Sequence, residues 1–407
     1  MDIVIPTIDE INICNLSGKK HINNSPKKNY FNKVNIKPWG KEYLVYQNNK
    51  IGIWILHIDK DQETSTHCHF KKDSILLTLQ GCFKINLFNS YKILHPLDSL
   101  YVSRNIFHGI HAYTNDSILL EVEVYTEQID YTDKNDLLRL RDIYIRDNDK
   151  YETSVCERTP NENEIINFHN ETVFNLKYSK IKVIDISNNN FNMNLENIDR
   201  IILLEGNIFI NGSNVSSGTL LNLKENNYSL LTNNVKLLCF YNLNYGVLNK
   251  LIYSKTHLYD YLKLSNYSNI GLTSGCFDIF HCGHIKLLKK FKNMCNKLFV
   301  CLSSDNQIKR LKGEKRPINN IDDRINILMN YSFIDNIILY DEIDDIIEEE
   351  LDIIMNIVKP TIWAKGSDYS INEILKKHPI LKNIQLIELE QDKSTTNIIK
   401  KIITNNL

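Results

Sequence analysis

The hydrophobic pattern of this chain changes its period once, near residue 265, and that change limits it to a β-rich part followed by an α/β part. From about 36 to 130, short alternating or β-rich runs recur: EYLVY, IGIWILHI, SILLTLQG, FKINLF, DSLYVS and SILLEVEVY. Turn residues separate them about every 8–12 positions, the rhythm of a β-sandwich or barrel. A second β-rich stretch follows, with IKVIDI, RIILLEGNIFING, GTLLNLKENNYSLLT and VKLLCFYNL. LLEGNIFING (203–212) echoes LTLQGCFKINL (77–87), which predicts an internal duplication. Beyond 265, strand-like runs (IGLTSG, KLFVCLS, NIILYD, TIWAKG, IQLIELE) alternate with helical patterns at 284–295 and 320–331. That alternation predicts parallel βαβ units in a doubly wound, Rossmann-like sheet.

The predicted organisation is multidomain: a polar arm over 1–30, a β-barrel domain over 31–150, a second β domain over 160–250 and an α/β domain over 265–407. RDNDKYETS (146–154) reads as the linker, and the Asn/Lys-rich arm reads as loose. A formal net charge of −1 without a basic cluster excludes a nucleic-acid partner from the reading. No apolar run approaches the roughly 18 residues that a membrane span needs. MDIVIPTIDEIN lacks the basic start and long apolar core of a secretory signal. The nine cysteines are odd in number and sit mostly in apolar segments, as reduced, buried thiols do. These features predict a cytoplasmic, intracellular protein.

SGCFDIFHCGH (274–284) falls between the first strand and the first helix of the α/β part, where such sheets bind ligands. A lone histidine beside an apolar run is usually packed in a core. His281 and His284, spaced i and i+3, share a helical face at a helix start. Helix N-termini favour anions, Gly283 permits close approach, and imidazoles donate to phosphate oxygens. Further stretches follow later strands. Asp305 comes after KLFVCLSS, and QIKRLKGEKRP (307–317) supplies Lys309, Arg310, Lys312, Lys315 and Arg316, a basic loop suited to a polyphosphate. WAKGSDY (363–369) follows another strand, and KSTTNIIKK (393–401) reads as an N-capped helix start. No GxxxxGK[ST] loop occurs, which disfavours a P-loop kinase or ATPase.

Together GCFDIFHCGH, SSDNQIKRLKGEKRP, Arg324, WAKGSDY and STTNIIKKI resemble the cytidylyltransferase-like nucleotidyltransferases, most of all the heptose-1-phosphate adenylyltransferase domain, over about 270–405. The glycerol-3-phosphate cytidylyltransferases usually carry an Arg-rich stretch before STT. Here that stretch is ELEQDK, which favours ATP over CTP. The resemblance implies direct transfer: a sugar-phosphate oxygen attacks the α-phosphate of the nucleotide, and Mg²⁺-bound pyrophosphate leaves. It implies catalytic roles for His281, His284, Lys312 and Arg316. It implies nucleotide binding by Gly275, Cys276, Phe277, Asp278, Gly283, Asp305, Arg324, Lys365, Gly366, Asp368, Ser394, Thr395 and Thr396, with Arg324 ordering the site. The partners are then a nucleoside triphosphate and a sugar phosphate. A CTP-dependent enzyme for a polyol phosphate, and a sugar-binding scaffold with a vestigial transferase, are the alternatives.

THCHF (66–70) puts His67 and His69 two apart on a predicted strand, so both face one side. SLYVSRNIFHGIH adds His108, with His111 after it, and three histidines converging in a small barrel suit a metal. With KPWGKEY (37–43) and Gly81, residues 35–130 resemble the cupin family. Asp73–Ser74 stand where that family has Glu, and Ser103-Arg104-Asn105 where it has PxG. Three readings stay open: a divalent metal on His67, His69 and His108, a metal-free acid–base sugar isomerase or epimerase, and a binding barrel. Glu121 and Glu123 alternate on LLEVEVY, so one of them is a candidate to face the cavity. The second β region resembles a cupin stripped of ligands, with His169 its only histidine, and reads as a structural or oligomerising spacer in a homodimer.

Overall fold

The computed structural model describes residues 2–17, 28–134, 136–144, 156–161, 164, 168, 173–177, 179–186, 198–210, 213–223, 234–242, 248–264, 267–339, 347–367, 369–381, 383–388, 395, 398 and 404. They form two compact units, Met1–Asn244 and Tyr245–Leu407.

The first unit opens with β1 (Asp2–Val4) and α1 (Ile8–Leu16). Strands β2 (Val34–Lys37), β3 (Gly40–Gln47), β4 (Ile51–Ile58), β5 (Thr66–Cys68), β6 (Lys72–Gln80), β7 (Phe83–Leu87) and β8 (Tyr91–Leu94) follow. Then come β9 (Ser99–Val102), β10 (His108–Ala112), β11 (Ser117–Tyr125), β12 (Leu138–Arg141) and β13 (Cys156–Arg158). They build an eight-stranded sheet, β1-β9-β6-β11-β4-β3-β2-β13, and a five-stranded sheet, β12-β5-β10-β7-β8. Trp54, Leu56, Leu76 and Leu119 of the large sheet meet Phe83, Ile85 and Ile110 of the small one in a shared core.

The second β region has β14 (Val173–Asn175), β15 (Ser179–Ile186), β16 (Ile198–Glu205), β17 (Asn207–Ile210), β18 (Ser213–Ser216), β19 (Leu220–Asn222) and β20 (Val235–Asn242). Its sheet β14-β15-β20-β16-β19 covers the outer face of the first sheet. Ile51, Ile53 and Ile55 pack there with Ile181, Ile202 and Phe240. This explains why IGIWILHI is apolar throughout: alternate residues enter two different cores, and both faces of β4 are covered. The sequence echo has a structural counterpart. Gly81 (φ 82°) turns β6 into β7, and Gly206 (φ 83°) turns β16 into β17. A Cβ at Gly206 would stand 2.4 Å from the carbonyl oxygen of Asn234.

Residues 2–17 correct the expectation of a loose arm. β1 pairs in parallel with β9, and Thr7 and Glu10 close a capping box on α1. Glu10 is buried and its Oε1 accepts the Phe107 backbone N–H at 2.9 Å. Thr7-x-x-Glu10 was the available signal, and the polar composition masked it.

The second unit begins earlier than residue 265, because β21 (Leu251–Ile252) and α2 (Lys255–Lys263) belong to it. It continues through β22 (Ile270–Gly275), α3 (Cys282–Lys292), β23 (Lys297–Leu302), α4 (Asp305–Lys312), α5 (Ile321–Met329), β24 (Asn336–Leu339), α6 (Ile347–Val358), β25 (Ile362–Gly366), α7 (Ile371–Lys377) and β26 (Ile384–Ile387). The sheet β21-β24-β23-β22-β25-β26 is parallel throughout. From β22 the chain builds outward through β23 and β24, then returns to add β25 and β26 on the other side. The carboxyl end of β22 is therefore the switch point at which open α/β sheets bind ligands.

Candidate active sites

At that switch point the chain leaves β22 through a tight turn into α3. Phe277 adopts φ 47°, and a Cβ on Gly275 would stand 2.8 Å from its ring, so glycine is required beneath it. His281 is the N-cap of α3 and His284 its third residue. The Gly283 N–H donates to Nδ1 of His281 at 3.1 Å, and the His281 N–H donates to Nδ1 of His284 at 3.3 Å. A ring nitrogen that accepts holds no proton, so this network assigns the proton of each neutral imidazole to Nε2. The two rings stack with centroids 3.9 Å apart, and His284 also stacks on Phe280. Burial, then the neighbouring His281 and Lys312, lowers the His284 pKa to about 3, so it is a neutral donor at physiological pH. A helix N-terminus with two fixed N–H donors beside it is built to hold an oxyanion.

The surrounding residues divide by what they touch. Asp278 is buried and accepts from the backbone N–H groups of Ile318 (2.9 Å) and Asn319 (2.8 Å) and from Nε of Arg316 (2.6 Å). Burial alone would push its carboxyl up, and these donors hold it below the usual range. Asp278 thereby ties the 316–319 loop to the turn. In this state the Arg316 guanidinium, expected to clamp phosphate, is engaged with Asp278. Arg324 is fully buried. It donates to the carbonyls of Cys276 (2.8 Å), Ser303 (2.7 Å) and Asn319 (3.1 Å) and to Asp305 Oδ1 (2.7 Å). It joins the ends of β22 and β23, so its donors face protein oxygens rather than a nucleotide. Lys365 Nζ donates to the Ser274 carbonyl at 2.6 Å, near the carboxyl end of β22, and Gly366 pairs with Ile387 of β26. Lys312 ends α4 and is exposed. Thr395 is described in a helical position, while Asp368, Ser394 and Thr396 lie outside the described residues.

In the barrel, His67, His69 and His108 bring one ligand nitrogen each to within 4.8 Å of one another. His67 faces His108 across the β5–β10 ladder. Each Nδ1 is at a backbone carbonyl: His67 at Ser65 (2.8 Å), His69 at Asp136 (2.5 Å), His108 at Ile106 (3.1 Å). Nδ1–H donation to a carbonyl leaves Nε2 as a bare lone pair, the arrangement of metal-bound imidazoles. Burial keeps all three rings below the usual imidazole pKa, so those lone pairs persist in mild acid. These residues fit a divalent metal. His111, three along β10 from His108, faces the other way and packs on Tyr113. Asp73 also points elsewhere, accepting from the Tyr101 hydroxyl and the Arg104 N–H. Both Glu121 and Glu123 line the cavity, with Ser74 donating to Glu121 at 2.9 Å. Lys37 and Glu42 of KPWGKEY line it too, as do Lys134 and Arg139, which the sequence reading missed because long-range folding brings them there.

The parallel sheet, its switch point and the histidine pair make the second unit an α/β domain with an oxyanion site at the carboxyl end of β22. Residues 272–401 match the cytidylyltransferase-like family, and this region of the chain is a cytidylyltransferase-like domain. A 130-residue stretch is 43% identical to the bifunctional protein HldE of Campylobacter concisus, covering 32% of this chain and 26% of that protein. The chain thus spans about a quarter of that relative's length. Among solved structures, the lipopolysaccharide core biosynthesis protein of Thermoplasma volcanium is 26% identical, covering 30% of this chain and 96% of that one, with TM-score 0.25. A cupin superfamily protein of Desulfitobacterium hafniense is 20% identical, covering 21% and 75%, with TM-score 0.19.

Proposed function

We propose that the second unit transfers a nucleotidyl group, AMP from ATP by preference, to a sugar 1-phosphate. The observation that carries this reading is the pair of stacked histidines whose Nε2–H donors are fixed at the N-terminus of α3. The incoming sugar-phosphate oxygen attacks the α-phosphorus, the bond to the β-phosphate oxygen breaks, and pyrophosphate leaves with the Mg²⁺ that accompanies the triphosphate. Negative charge grows on the transferring phosphate, and His281 and His284 stabilise it without giving up a proton. Lys312 adds charge nearby, and Arg316 does so where phosphate displaces it from Asp278. Pyrophosphate release from a panel of nucleotides and sugar phosphates tests the reading. A tenfold preference for CTP overturns the adenylyl assignment, and silence across the panel favours a binding scaffold.

For the barrel, the three lone pairs favour a divalent metal held by His67, His69 and His108. Such an ion would supply Lewis-acid polarisation of a sugar oxygen. The residues themselves orient the ion through Ser65, Ile106 and Asp136 and present Glu121 as a proton acceptor across the cavity. The barrel then acts on the same sugar or its nucleotide form, as an isomerase or epimerase. The second β region serves as a spacer or dimer surface.

A further inference from the structure

Asp278 divides its carboxylate between the backbone and a side chain. Its Oδ1 accepts the N–H groups of Ile318 (2.9 Å) and Asn319 (2.8 Å). Its Oδ2 accepts Nε of Arg316 at 2.6 Å and shares the Ile318 N–H at 3.0 Å. Asp278 is buried on the turn between β22 and α3, three residues before His281, so the docked guanidinium lies against the turn that leads to the histidine pair.

The far end of the loop is held independently of that guanidinium. Asn319 Nδ2 donates to the Asp278 carbonyl at 2.7 Å, and the Asn319 carbonyl accepts from Arg324 at 3.1 Å. The Ile321 N–H reaches Asp305 at 3.2 Å. Upstream, residues 311–315 are exposed, and a Cβ on Gly313 would meet nothing within 4 Å. The Arg316 side chain can therefore leave Asp278 without unseating residues 318–321. Its pairing there is also incomplete. Arg316 meets one carboxylate oxygen, because the other is taken by the loop N–H groups, and its Nη2, 2.5 Å from that oxygen, is buried without an aligned hydrogen bond. A phosphate group offers the two-oxygen face that a guanidinium fork matches best.

We propose that Asp278 is the resting counter-ion of Arg316, exchanged for the outer phosphates when the nucleotide binds and re-engaged as pyrophosphate leaves. This rests on the reading of the second unit as a nucleotidyltransferase and adds the step that keeps its hold on polyphosphate reversible. Cations with no competing anion would hold the product as firmly as the substrate, and product release limits the turnover of many enzymes. Asp278 is then a positioning residue that acts through Arg316. The test is calorimetric titration of the full chain with Mg²⁺–pyrophosphate and Mg²⁺–ATP. It is run on the wild type, Asp278→Asn, Arg316→Ala and the double variant, beside thermal melts and steady-state kinetics. Asp278→Asn keeps an acceptor for the Ile318 and Asn319 N–H groups and removes the charge that competes for Arg316. It should bind pyrophosphate on the order of 10-fold more tightly, with a lower nucleotide KM and no gain in kcat. Arg316→Ala should weaken pyrophosphate by a similar factor, and in that background Asp278→Asn should change little. A purely structural Asp278 gives the opposite sign, so weaker or unchanged binding by Asp278→Asn overturns the proposal. Pyrophosphate affinity that ignores Arg316→Ala overturns it too, whether or not Asp278→Asn folds. If the cycle holds but no nucleotidyl transfer occurs, the exchange stands and the transferase reading fails. Transfer without the cycle keeps the transferase and overturns the exchange.

Discussion

The backbone N–H of His281 donates to Nδ1 of His284 at 3.3 Å, which fixes the proton of His284 on Nε2. Replacing His284 with Ala removes a preorganised donor and should lower the nucleotidyl-transfer rate on the order of 10²–10³-fold. The loss of its capping contact should cost only about 1 kcal/mol. Steady-state kinetics beside a thermal melt separates the two effects. Near-normal turnover would reduce His284 to a capping residue.

Arg324 is a different case. Its four contacts join the ends of β22 and β23 to the 316–320 loop, and Arg324→Met would leave the Cys276 and Ser303 carbonyls without that donor. The second unit should lose on the order of 3 kcal/mol or more, read by chemical denaturation. A variant as stable as the wild type would show that those carbonyls find other partners.

Acid should weaken the first unit through its histidines. Burial holds His69 and His108 below their ordinary pKa of 6.5, so the folded barrel keeps them neutral while unfolded imidazoles take up protons. The unfolded state then binds more protons, so stability is present above about pH 6.5 and is lost as pH falls below it. The slope is at most about 1.4 kcal/mol per pH unit for each histidine. Denaturant midpoints between pH 7 and pH 5 should fall for the wild type and fall less for His108→Asn. Parallel curves would contradict the assignment.

Metal analysis addresses the three bare Nε2 atoms. Protein purified without chelator or a histidine tag should carry about one divalent ion per chain, and His69→Ala should lose it. With no carboxylate ligand from Asp73, a chelator should strip the ion readily, leaving nucleotidyl transfer intact once Mg²⁺ is restored. Metal well below one equivalent, unchanged in His69→Ala, would favour metal-free acid–base chemistry or a binding barrel.

What could be read in the sequence was what is local. HCGH sits within four residues, and His67-x-His69 within three, so spacing alone brought each pair together, although β5 ends at Cys68 and leaves His69 just beyond the strand expected to carry it. The rhythm change near 265 foretold the parallel sheet, though β21 and α2 were missed because β21 is two residues long and is defined only by pairing with β24. The place of Arg139 in the cavity wall was invisible in LRLR, since it depends on a ladder to His67, seventy-two positions earlier. The contact that Arg316 makes was invisible for the same reason: nothing local in GEKRP announces that Asp278 accepts its guanidinium.

The most direct measurement of the central claim follows an oxygen isotope. Sugar 1-phosphate carrying ¹⁸O on its phosphate is incubated with ATP, Mg²⁺ and the enzyme, and the products are read by ³¹P NMR and mass spectrometry. In-line attack by the sugar-phosphate oxygen places ¹⁸O in the new bridge of the nucleotide sugar and none in the pyrophosphate. Label appearing in pyrophosphate, or AMP and pyrophosphate forming without a nucleotide sugar, would contradict the account.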